Sequence, residues 1–159
     1  MMLSALVVLS IVGFAPAADA LSISAPTSVN LGSTSVTSST LSAQLGNVTG
    51  SVTGLPLAFT ATVSTTVFTT GGGTAAETIG KSQIYYWSGP LTDSGGISIT
   101  AVPGQLDQST AVPLTTPVTA FHASGLVVFS ATWVPTIVVH IPAGAVAGTY
   151  SGTITHSIV

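Results

Sequence analysis

In AGTYSGTITHSIV (residues 147–159), every second position from Tyr150 is Tyr, Gly, Ile, His, Ile, and Ser151, Thr153, Thr155 and Ser157 fill the gaps. A repeat of two is the period of a β-strand, whose successive side chains leave opposite faces. This strand therefore has one apolar face and one hydroxyl face. A histidine stands in the apolar row. Its parity predicts a buried ring at His156, neutral because desolvation disfavours the cation. Its expected hydrogen-bond partner is a backbone group or a Ser or Thr hydroxyl.

The same period recurs upstream. Leu57, Phe59, Ala61 and Val63 share one face with Thr60 and Thr62 on the other, and QIYYWS (residues 83–88) sends Tyr86 to one side and Tyr85 with Trp87 to the other. Residues 126–141 form a long apolar run in which Phe129, Ala131 and Trp133 share a face. Pro135 divides that run into two strands, because proline lacks the N–H a ladder needs. Further strands are expected at residues 22–29, 40–52 and 97–102. Residues 69–80 and 89–96 read as a loop and a turn, and residues 103–119, with three prolines, as loop with short edge pieces. No segment has the helix period. The fold class is all-β, an antiparallel β-sandwich.

Composition narrows the function. Of 159 residues, Lys81 is the sole Lys or Arg, so there is no basic patch for nucleic acid and no cationic membrane-surface helix. There is no cysteine, and the mean hydropathy is +0.73 with 3% charged residues. Ser and Thr supply the polarity. The apolar run at residues 3–14 is too short to span a bilayer and is followed by Ala18-Asp19-Ala20, the pattern of a secretory signal peptide cut after Ala20. The expected organisation is a signal peptide over residues 1–20 and one β-sandwich domain over residues 21–159, secreted or at the cell surface.

Groups for catalysis are few. His122, His140 and His156 have no close spacing of the zinc-site kind, so no metal and no cofactor is expected. No G-x-S-x-G elbow occurs, and GGGT (residues 71–74) lacks the lysine of a phosphate loop. An acidic pair would have to come from Glu77, Asp93 and Asp107, all in expected loops. Tyr85, Trp87 and Trp133 are the candidate ligand-binding residues, since aromatic faces stack on sugars, although aromatics also fill cores. Edges free of lysine and a nearly uncharged surface favour self-association.

Two stretches, LAFTATVSTTVFTTGGGTAAETIGKSQIYYWSG (residues 57–89) and WVPTIVVHIPAGAVAGTYSGTITHSI (residues 133–158), resemble the exported WxL-type surface domains of Gram-positive bacteria. Pro142, Gly148, Tyr150 and Ile154 fit that family's closing pattern. His156 stands where its last Trp would be, with Ile158 in place of Leu, and Phe59 stands where its early Trp would be. The resemblance implies a β-sandwich at the cell surface. The expected function is thus an exported, non-enzymatic cell-surface or cell-wall-associated structural or interaction module. Its partners would be cell-wall glycan or other surface proteins, and not nucleic acid. The alternatives are a carbohydrate-binding module that uses its exposed aromatics, and a hydrolase with a sparse acidic site.

Overall fold

The computed structural model describes residues 2–11, 21–35, 40–55 and 57–159. The cleavage motif Ala18-Asp19-Ala20 lies outside the described residues. The strands in chain order are β1 (Met2–Ile11), β2 (Leu21–Ser24), β3 (Ser28–Ser35), β4 (Thr40–Gln44), β5 (Val48–Val52) and β6 (Ala58–Thr65). Then come β7 (Phe68–Thr69), β8 (Thr78–Ile79), β9 (Ile84–Trp87), β10 (Leu91–Gly95) and β11 (Thr100–Pro103). The chain closes with β12 (Val112–Pro113), β13 (Val118–Ser124), β14 (Phe129–Trp133), β15 (Thr136–His140) and β16 (Thr149–Ile158). Short 3₁₀ turns occupy Ala75–Glu77, Lys81–Gln83 and Gln108–Thr110. Among the described residues no helix is long and apolar enough to cross a membrane.

The architecture is all-β and sandwich-like. One sheet runs β11-β13-β6-β16-β1-β3, with β7 and β8 attached beside β16. Against it pack a second sheet, β10-β14-β5-β2, and a third, β12-β9-β15-β4. Three connections carry the chain between the second and third sheets, and two of them meet each other. At one, Val134 and Pro135 separate β14 from β15; at the other, residues 45–47 separate β4 from β5. The Leu45 N–H donates to the Pro135 carbonyl at 2.8 Å, which ties the corners together. Gly46 has φ +85° there, and a Cβ on it would meet the Pro26 ring at 2.8 Å. Only glycine takes that bend without strain.

Alternation fills the space between the layers. β6 buries Phe59, Ala61, Val63 and Thr65 in strict succession, and β14 buries Phe129, Ala131 and Trp133. One core cluster lies between the first and third sheets, around Tyr86, Ile137, Tyr150 and Ile154. The other lies between the first and second, around Phe59, Phe121, Phe129 and Trp133. Glycines in the apolar rows make room for rings. Phe68 lies against Gly152 where a Cβ would stand, and Phe59 Cζ is 2.5 Å from the Cβ position of Gly50.

Four expectations are corrected. Residues 89–96 are not merely a turn, since β10 pairs with β14 from Leu91 opposite Trp133 to Gly95 opposite Ser130. All five β10 residues are exposed, so an edge strand formed without any apolar alternation to announce it. The loop at residues 69–80 includes β8, which pairs with β7 and buries Ile79. The strand placed at residues 22–29 is two strands, broken at residues 25–27. Ordered pairing also begins later than residue 97, at Thr100 opposite Ser124.

The apolar run near the amino terminus is placed in the first sheet as β1. It lies parallel to β16 and antiparallel to β3.

Candidate functional site

The third sheet turns one face to the core and the other outward, and β9 shows both. Tyr86 points inward and is fully buried, while Tyr85 and Trp87 are half-buried on the outer face. Register carries the outer row across three strands. Tyr85 stands opposite Val138 of β15, and Val138 stands opposite Ser42 of β4. His140, two residues along β15 and therefore on the same face, stands opposite Thr40. Its ring meets Tyr85 edge-on, with centroids 4.8 Å apart and planes at 69°. This is a diagonal cross-strand pair of the kind that steadies an exposed face.

The 3₁₀ turn Gln108–Thr110 and Ala111 rise beside this row and form a wall. Together Thr40, Ser42, Tyr85, Trp87, Gln108, Ala111, Val138 and His140 enclose an open cleft of about 260 Å³. No Asp, Glu, Lys or Arg lines it. Asp107 holds the wall in place from behind. Its carboxylate accepts from the Ser109 N–H at 2.8 Å and the Ser109 hydroxyl at 2.6 Å. Those bonds, the hydroxyl first, hold the carboxyl below its usual range.

The structure separates the three aromatic candidates. Tyr85 and Trp87 share the cleft. Trp133 does not, which corrects the expectation for that residue. It is fully buried and stacks on Phe121 at 4.6 Å and 7°, with Phe59 6.5 Å away on a second contact. Its parity with Phe129 and Ala131 puts it in the core, where no face remains for a ligand. Phe59 belongs to the same aromatic stack.

The acids are dispersed in role. Glu77 accepts from the Thr74 N–H at 3.0 Å and the Thr74 hydroxyl at 2.8 Å, which lowers its pKa. Asp93 lies on the exposed edge strand β10. Of the histidines, exposed His122 meets the Thr60 hydroxyl through Nδ1 at 3.1 Å. Among the described residues, no three His, Asp or Glu side chains gather as a metal-binding group.

His156 is buried, as its parity requires, but its partner differs from the expectation. Nε2 lies 3.3 Å from the Tyr86 hydroxyl, a phenol rather than a Ser or Thr hydroxyl or a backbone group. Burial lowers the His156 pKa to about 4. Burial also pushes the Tyr86 phenol well up, partly offset by the Trp133 indole N–H on its side. That N–H does not reach hydrogen-bond geometry, and neither Trp133 Nε1 nor His156 Nδ1 finds a hydrogen-bond partner. The arrangement belongs to the core, with no opening to the cleft face.

The cleft wall was not visible in the sequence. Gln108 and Ala111 reach Tyr85 only because Val112 and Pro113 pair with Tyr86 and Tyr85. A signal for His140 does exist in the sequence, since it alternates with the apolar Val139 and Ile141 and so falls on the opposite face. No protein-family model matches the sequence, and no characterised protein matches it either.

Proposed function

We propose that the chain is an exported, non-enzymatic module of the cell surface or cell wall that works by binding through the outer face of its third sheet. One observation carries this reading. Two aromatic side chains from a single strand, Tyr85 and Trp87, line a concave site whose remaining polar groups, on Thr40, Ser42, Gln108 and His140, are hydrogen-bonding side chains. Aromatic faces pack against the C–H faces of sugars, and hydroxyl and amide groups meet the sugar hydroxyls. The cleft thus favours the carbohydrate-binding form of the module, with an uncharged glycan as ligand. The leader pattern, the scarcity of charge and the resemblance to WxL-type domains support the wall setting. The engagement of Glu77 and Asp107 in their own turns supports a binding role over hydrolysis. Incubating the exported protein with purified cell walls and a panel of soluble glycans tests the proposal. Retention on walls, competed by a neutral oligosaccharide without its cleavage, is the expected result. Release of reducing ends that stops on changing Glu77, Asp93 or Asp107 would overturn it.

A further inference from the structure

The last strand but one of the first sheet is built from residues that the leader pattern assigns for removal. β1 runs parallel to β16, with Ser4 opposite Thr149 through Ile11 opposite His156. On its other edge it runs antiparallel to β3, with Met2 opposite Ser35 through Val8 opposite Ser28. β3 ends the sheet, so β1 is what joins it to the other strands. Adjacent strands stand about 4.8 Å apart. With β3 and β16 held where they are, a chain cut after Ala20 would leave a gap of roughly 10 Å between them, twice that spacing.

The β16 rim of this slot is unguarded, and the β3 rim carries a single bulge, where Ala5 faces Gly32 and Leu6 faces Asn30. TYSGTITHSI of β16 and SVNLGSTS of β3 contain no charged residue and no proline, the usual devices that keep strand edges from pairing. β16 is also fixed in place. Its far edge pairs with β6 from Ile154 to Ile158, its Tyr150 and Ile154 side chains are fully buried, and the Tyr150 hydroxyl donates to the Ala76 and Val146 carbonyls. The rim thus keeps a row of backbone donors and acceptors in register, and unpaired groups of this kind are costly beside a core.

We infer that the processed chain is a strand acceptor: the slot between β16 and β3 takes an extended segment from a partner surface protein, parallel to β16 and antiparallel to β3. The occupant's chemistry is read from what fills the slot here. MLSALVVLSI is ten residues long, apolar apart from Ser4 and Ser10, uncharged and free of glycine and proline. Such strand addition draws affinity from main-chain hydrogen bonds and specificity from alternate side chains. The inference rests on the proposed export and adds to it a second, separate contact with a protein.

The test uses the exported protein, its amino terminus fixed by intact mass. A peptide of residues 2–11 carrying a short lysine tail for solubility is added, and a second peptide with Val7→Pro serves as control. The expected result is one-to-one binding of the first peptide, with exchange slowed roughly tenfold or more at alternate amides of Thr149–His156 and at amides of Ser28–Ser35. The proline peptide, lacking a central N–H, should not bind. Amides of β16 already protected before peptide is added, because β3 has closed on β16, would overturn the inference, as would an unchanged exchange pattern. Either result in an exported, correctly cut chain leaves export standing and removes the acceptor slot alone. Recovery of a chain that retains residues 1–20 overturns the slot together with the processing.

Discussion

The Tyr86 hydroxyl and His156 Nε2 lie 3.3 Å apart with both side chains fully buried, which links the third sheet to the first through the middle of the core. A single polar contact between two otherwise apolar rows has consequences for stability that can be measured.

The first concerns pH. The folded His156 pKa is depressed to about 4 from 6.5. Below pH 6.5 the unfolded chain takes up a proton that the folded chain refuses. Stability should therefore be full above pH 6.5, fall as pH drops, and level off below about 4. The total loss should be about 3 kcal/mol. Glu77 and Asp107, whose folded pKa values are lowered, act in the same direction at more acidic pH, where protonation removes their turn bonds. Urea unfolding at a series of pH values checks this. A His156→Phe chain should lose the decline between pH 6.5 and 4.

The pair itself can be isolated by a double-mutant cycle. Tyr86→Phe strands the His156 ring nitrogen, and His156→Phe strands the Tyr86 hydroxyl; each should cost about 1–3 kcal/mol. The double variant should cost clearly less than the sum, since no polar partner is then left alone. Strict additivity would show that the contact contributes nothing.

Gly152 breaks the large-residue pattern of β16 because Phe68 occupies the space of its Cβ. Gly152→Ala should destabilise the fold by about 1–3 kcal/mol through overpacking. Combining it with Phe68→Leu should recover part of that loss. Thermal unfolding of the three variants reads both effects.

Much of this molecule was legible because parity is local. The β16 row, the β6 row and the opposed faces of Tyr85 and Tyr86 follow from counting by two, and the division of residues 126–141 at Pro135 follows from proline's missing N–H. What parity cannot give is which rows meet. His156 finds Tyr86 70 residues away, and β10 is a strand only because β14 lies beside it. Trp133 illustrates the limit from the other side. Its row was evident, but whether an aromatic row faces core or solvent depends on the sheet packed against it, here through Phe121 and Phe59.

Asp107 offers a test of how the cleft is held together. Asp107→Ala removes the bonds to Ser109 and should loosen the Gln108–Thr110 turn. If the wall matters for binding, affinity for glycan should fall while the core stays folded, as circular dichroism and titration calorimetry would show together.

Calorimetric titration of a neutral wall oligosaccharide into wild-type protein and three variants decides whether Tyr85 and Trp87 form a binding face. Tyr85→Ala and Trp87→Ala should each weaken binding roughly tenfold, the loss of about 1.4 kcal/mol of stacking. His122→Ala, an exposed change on the first sheet, should leave affinity as it is. Equal affinity in all four proteins, or loss in His122→Ala alone, would contradict the account.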